Sequence, residues 1–175
     1  MVNLGEQMIY KTGDVTKATE TGLKFLPHIV NCYGVAGSGV VCAIEKMERN
    51  PIQQYRNWYK QRYYEQQIFG TDVVRDIHFE LGEVQFVESG EFIVCNMVAQ
   101  KWQEEVNCKQ VPAIRLWALQ ECMERVAEQI KLLDNFSCLV CPKFVSMRAG
   151  ANWDRDIVPL IENIWKDFDV IIYEY

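Results

Sequence analysis

Asn31-Cys32-Tyr33-Gly34-Val35-Ala36-Gly37-Ser38-Gly39-Val40-Val41 carries three glycines within six positions. A short apolar run, His28-Ile29-Val30, leads into it, and an amphipathic segment from Val40 to Met47 follows. Strand, glycine-bearing loop and helix, in that order, present free backbone N–H groups and a helix dipole to an anion. Gly34, Gly37 and Gly39 allow φ > 0 and let a ligand approach the backbone closely. The stretch is a phosphate-loop candidate.

Composition narrows the class. At 175 residues, 49% hydrophobic and 12% aromatic, the chain reads as one globular domain, 1–175, able to bury a core without staples. Its net charge of −6 argues against general nucleic-acid binding, which needs a basic face. A small diphosphate held by backbone dipoles remains compatible with that charge. No run reaches the ~18 consecutive apolar residues of a membrane span, and Met1 to Gln7 lacks a charged-then-apolar signal pattern. The expectation is a cytoplasmic chain. Seven cysteines, an odd number, mostly sit in apolar runs (Cys42, Cys95, Cys122, Cys138) and read as reduced thiols used as small hydrophobes. Cys138-Leu139-Val140-Cys141 lies in a strand pattern, where residues three apart face opposite sides. With only two histidines beside it, no metal site and no cofactor are expected.

Outward from the loop, the pattern alternates strands with helices. Strands are expected at Met8–Lys11, Pro27–Cys32, Gly82–Glu88, Glu91–Val98, Ser137–Pro142 and Val170–Tyr173. Ser89-Gly90 makes the third and fourth a hairpin. Thr16 to Thr21 reads as a short helical turn, and longer helices are expected at Val40–Arg49, Pro51–Gln67, Pro112–Leu133 and Trp153–Lys166. Ala99 to Val111 reads as a polar loop. The stripe Tyr55, Trp58, Tyr59, Tyr63 and Tyr64 reads as a packing face, because few basic residues interleave it. His28 and His78 read as structural. This alternation predicts an α/β fold with a mixed, largely parallel sheet covered by helices on both faces, its ligand rim at the carboxyl ends of the strands.

Three motifs in order then carry a resemblance. Gly13-Asp14-Val15-Thr16 follows the first strand, the quoted glycine loop follows the second, and Pro142 with Gly150-Ala151-Asn152-Trp153 precedes the last helix. Together they resemble the macro domain, the ADP-ribose-recognising three-layer α/β/α fold, over almost the whole chain. The similarity is to the small phage and bacterial branch related to ADP-ribose-1″-phosphate phosphatases and deacylase-like ADP-ribosyl hydrolases.

The resemblance implies roles. Asp14, followed by Val15, would accept from the adenine amino group; its alternative role is to cap the turn after Gly13. Asn31 with Gly37, Ser38, Gly39 and Val40 would hold the distal ribose and diphosphate, although an amide at the end of a buried strand reads equally as a satisfied structural group. Val145, Ser146, Arg148, Ala149 and Gly150 would close over the other side of the diphosphate. For hydrolysis of ADP-ribose-1″-phosphate or an ADP-ribosyl ester, the candidates are Asn31, Tyr33 and Lys101.

The departures from the family pattern are specific. Val145 and Met147 replace two glycines of the second loop; Gln100 and Lys101 are the nearest residues to the hydrolases' nucleophilic lysine, the register favouring Gln100; and Ala149 stands near their resolving aspartate. The alternatives to an enzyme are a non-catalytic reader or sponge of an NAD-derived nucleotide and a macro-like scaffold for a protein partner.

Overall fold

The centre of the molecule is a nine-residue strand, β2 (Leu23–Asn31), buried along most of its length. The computed structural model describes residues 8–37, 39–69, 80–101, 104–106, 109–111, 113–144 and 150–175, with backbone alone at 63–69, 104–106 and 109–111. β1 (Ile9–Thr12) precedes β2, and α1 (Val40–Met47) and α2 (Asn50–Phe69) follow it. Then come the hairpin β3 (Val84–Ser89) and β4 (Phe92–Gln100), the short pair β5 (Glu104–Val106) and β6 (Lys109–Val111), and α3 (Leu116–Lys131). The chain closes with β7 (Phe136–Pro142), a π-helical turn at Trp153–Ile157 running into α4 (Val158–Ile164), and β8 (Val170–Glu174).

Six strands form one sheet in the order β1-β8-β7-β2-β4-β3. All neighbours are parallel except the β3–β4 hairpin. Parallel strands need crossovers, and the crossing helices cover both faces. Alternation along β2 shows the two layers directly. Phe25 packs with α3, the π turn and α4, among Leu119, Met123, Ile157 and Trp165. Its neighbour Leu26 points the other way, toward Val41 and Ile44 of α1 and Ile52 of α2. Cys138 and Cys141 likewise fall in opposite layers, as their spacing predicts.

Several expected boundaries move. β2 begins at Leu23, not Pro27, because Lys24 is buried with its charge satisfied: Nζ donates to the carbonyls of Glu20 (2.7 Å) and Gly22 (2.9 Å) and meets the Glu91 carboxylate at 3.2 Å. α1 stops at Met47, since Glu48 is extended, and a new helix starts at Asn50. The segment read as a loop from Ala99 holds the end of β4 and the antiparallel pair β5–β6. α3 begins at Leu116, and the last helix opens as a π turn capped by Asn152, whose side chain accepts from the Arg155 N–H at 2.8 Å.

Candidate functional site at the carboxyl rim

Five parallel strands end on one rim, so the segments after Thr12, Asn31, Gln100, Pro142 and Glu174 gather there. A cleft of about 810 Å³ lies over the β1, β8 and β7 end of that rim, walled by α1. Asp14, Val15, Gly39 and Val40, all nominated from sequence, line it together.

Asp14 performs the capping role: its Oδ1 accepts from the Thr16 N–H at 2.9 Å and the Thr16 hydroxyl at 2.7 Å. Both bonds fall on Oδ1, and Oδ2 makes no hydrogen bond among the described residues of this cleft-lining side chain. Gly39, at φ 69°, sits at the N-cap of α1 with no side-chain cap. The first turn of α1 thus has no side-chain cap among the described residues, and its first residues, Gly39 and Val40, line the same cleft. Tyr173 and Tyr175 also line it; the sequence reading missed both, because nothing in a terminal strand signals that its end borders a ligand.

The loop after Asn31 is built inward. The Asn31 Oδ1 accepts from the N–H groups of Tyr33 (3.0 Å) and Val35 (3.3 Å), and Nδ2 donates to the Val35 carbonyl (2.7 Å). The Tyr55 hydroxyl, on α2, lies 2.8 Å from both the carbonyl and Oδ1 of Asn31. Burial pushes the Tyr55 phenol well above its usual range, so at neutral pH it remains a donor. Arg56 donates to the Ala36 carbonyl at 3.0 Å and pairs with Glu45 of α1. Gly34, at φ 71°, presses on the Tyr59 ring so closely that a Cβ there would sit 2.4 Å from ring carbons. The aromatic stripe of α2 thus packs inward: Tyr55 is fully buried with Val30 and Val98, and Trp58 and Tyr59 lean on that cluster. The side chains of Tyr63 and Tyr64 lie outside the described residues.

Beneath this loop, His28 is buried on the same face of β2, with Nε2 against the Asn96 Oδ1. Asn96 in turn donates to the Pro51 carbonyl at 3.0 Å and to Gln85 at 3.0 Å. That geometry requires the Nε2–H tautomer, and Nδ1 then has no partner. Burial lowers the imidazole pKa to about 4. His28 is a structural tie between β2, β4 and the start of α2, far from the role of a surface base.

The other end of the rim, over β2 and β4, gathers a second set. The β2–β4 register shifts between Val30 and Asn31, bringing Asn31 opposite Gln100, and the Cys32 N–H donates to the Gln100 carbonyl at 3.0 Å. Burial raises the Cys32 thiol, while a hydrogen bond from Tyr33 and the Lys101 and Arg115 cations pull it partly back. Tyr33, Lys101 and Arg115 therefore all lie within electrostatic reach of Cys32, and the sequence reading did not single out Arg115. Neither they nor Asn31, Gly37 and Gly150 line the 810 Å³ cleft.

On the facing wall, Gly150 has φ 75°. Trp153 anchors that wall: it is edge-on to Phe144 (5.7 Å between centroids), and its Nε1–H donates to the Tyr10 hydroxyl at 3.1 Å. Ser38, Val145, Ser146, Met147, Arg148 and Ala149 lie outside the described residues, as does His78. Among the described residues no cluster of His, Cys, Asp or Glu could hold a metal ion, and no helix is long and apolar enough to cross a membrane.

No family sequence model and no curated protein matches the chain. Solved structures do match. A protein of unknown function from Bacteroides thetaiotaomicron is 28% identical at a TM-score of 0.80, with 97% of this chain and 98% of that one covered. A macrodomain protein from Streptomyces coelicolor is 27% identical at 0.75, covering 97% and 99%. Thermosipho africanus DarTG, solved in complex with ADP-ribose, is 12% identical at 0.59, covering 87% of this chain and 38% of that one. The architecture is thus a three-layer α/β/α domain with its cleft at the carboxyl ends of a mixed, mostly parallel sheet. The chain has the macrodomain fold, as in the Streptomyces coelicolor structure.

Proposed function

We propose that the chain binds ADP-ribose or an ADP-ribose derivative in the cleft at the carboxyl ends of its strands. The observation that carries this reading is that Asp14 and the uncapped first turn of α1 line one cleft. A carboxylate oxygen suits the adenine amino group, and uncapped helix N–H groups suit a diphosphate. Tyr175, fully exposed at the cleft, supplies a ring for the base. At about 810 Å³ the cleft is of the size that takes a nucleotide. The ADP-ribose held by Thermosipho africanus DarTG, a structure of the same fold, supports the ligand class.

The same site favours binding over hydrolysis. The Asn31 side chain makes its hydrogen bonds to the loop itself and to Tyr55 of α2, and Gln100, which cannot form a covalent intermediate, stands opposite it. Titration calorimetry with ADP-ribose is the test. Saturation at about 100 Kd should stabilise the fold by about 2.7 kcal/mol. Absence of both heat and thermal shift at millimolar ADP-ribose leaves the protein-scaffold reading in its place. Incubation with ADP-ribose-1″-phosphate should give binding without phosphate release. Release lost in Asn31→Ala with binding retained would instead make the chain a hydrolase.

A further inference from the structure

Three lysines, Lys17, Lys46 and Lys143, line the cleft against one carboxylate, that of Asp14. This is a local excess of positive charge in a chain whose net charge is −6. Lys143 is held by Glu174 at 2.9 Å. The ammonium groups of Lys17 and Lys46 make no hydrogen bond or ion pair among the described residues. Backbone N–H groups at the start of α1 already answer the charge of a diphosphate, so these two cations are in addition to it.

Helix geometry places them. Val40, Ala43, Lys46 and Met47 all border the cleft, the spacing of a single helical face. Lys46 stands six residues beyond Val40, about 9 Å along the axis at the ~1.5 Å rise of an α-helix. Lys17 ends the 3-10 turn that Asp14 opens. With a diphosphate on the first turn of α1 and adenine at Asp14, the adenosine ribose lies between them. Lys17 stands on the turn that Asp14 caps and Lys46 in the last turn of α1, so both line the cleft beyond the helix turn that would hold the diphosphate. A flexible ammonium suits a phosphomonoester there, since it delivers charge without a fixed hydrogen-bond fork.

We infer that the cleft takes an adenosine diphosphate carrying a further phosphomonoester on its adenosine ribose, with Lys17 and Lys46 as the counter-charges. The inference rests on the adenine and diphosphate seats proposed above. Both lysines also sit at the carboxyl ends of their helical turns, where a cation complements the dipole. That role alone predicts no dependence of affinity on a ribose phosphate.

The phosphate can come from a 2′-phosphorylated nucleotide, as in NADP, or a 3′-phosphorylated one, as in coenzyme A. Calorimetry at fixed salt should compare ADP-ribose, ADP, 2′-phospho-ADP and 3′-phospho-ADP on the wild-type chain and on the Lys17→Gln/Lys46→Gln double variant. One of the phosphorylated isomers should bind the wild type about tenfold more tightly than ADP, and which isomer does so identifies the source. In the double variant that ratio should fall to about one, and the salt dependence of binding should flatten with it. Binding of ADP-ribose with neither isomer tighter than ADP overturns the inference while leaving the proposed function intact. So does a preference that survives in the double variant. A wild-type chain that binds none of the four ligands overturns both.

Discussion

The two ends of the strand rim use the same kinds of groups in opposite directions. Over β2 and β4, the Asn31 amide, the Tyr55 hydroxyl and the Arg56 guanidinium all turn inward and fix the loop from Asn31 to Ala36. Over β1, β8 and β7, Asp14, the first turn of α1 and two lysines whose ammonium groups are unpaired among the described residues line a cleft. Buried polar groups are mostly satisfied in folded proteins, and among the described residues the braced end satisfies all of its own but the His28 Nδ1 within the chain. The cleft end leaves them for a ligand. A perturbation of the braced end should therefore register first as lost stability, and one of the cleft end as lost affinity.

The largest expected effect is at Gly34. A side chain there meets both a left-handed φ of 71° and the Tyr59 ring at 2.4 Å, so Gly34→Ala should cost about 3 kcal/mol in urea unfolding. Gly37 is the control within the same loop: a Cβ there meets nothing within 4 Å among the described residues, and φ is not positive. Gly37→Ala should stay within about 0.5 kcal/mol of wild type. Equal costs at the two positions would remove the bracing from the account of this loop.

Acid should weaken the braced end next. His28 holds Asn96, and Asn96 holds the Pro51 carbonyl at the start of α2. Its pKa is lowered to about 4 in the fold, against about 6.5 in the unfolded chain. Between those values the unfolded state binds more protons, so stability is fully present above pH 6.5 and is lost as pH falls toward 4. The loss should approach about 3 kcal/mol from pH 7 to pH 4. Urea titrations at stepped pH on wild type and His28→Gln check it. A slope unchanged in the variant would assign the acid sensitivity to other groups.

Tyr55→Phe is a milder version of the same break. Removing one hydroxyl that bonds Asn31 should cost about 1–1.5 kcal/mol in stability, because the ring still fills its site beside Val30 and Val98. Affinity for AMP, which engages only the cleft end, should be unaffected, while any loss for ADP-ribose would show that the loop also reaches the distal ribose.

The same division explains what could be read in the sequence. Glycine spacing, the apolar run before Asn31 and the alternation of strands and helices carry the architecture, because burial and periodicity are local signals. Lys24 concealed four residues of β2, since nothing in its neighbourhood announces that two carbonyls and Glu91 would receive its ammonium. The β5–β6 pair was concealed by the polarity of Glu104-Glu105-Val106 and Lys109-Gln110-Val111. At the site, Asp14 and the Gly39-Val40 turn were legible from their motifs. Tyr55, Arg56, Lys46 and Tyr175 were not, because what matters about them is a neighbour twenty or more residues away, or a place on a wall formed by several elements.

Asp14 is where the two roles meet in one side chain, and a single substitution can part them. Its Oδ1 caps the 3-10 turn at Val15–Lys17, and its Oδ2 is the oxygen assigned to adenine. Serine is a good N-cap but brings one oxygen and no charge. Asp14→Ser should therefore keep the turn, changing stability by about 0.5 kcal/mol or less. It should lower adenine-nucleotide affinity about tenfold, the measure of one charge-assisted hydrogen bond. Asp14→Ala should lose the same affinity and about 1 kcal/mol of stability as well. If serine restores full affinity along with the cap, the carboxylate serves the turn alone and adenine must be seated elsewhere along the cleft. If both variants bind weakly and only alanine is unstable, the oxygen outside the cap is the one the ligand reads.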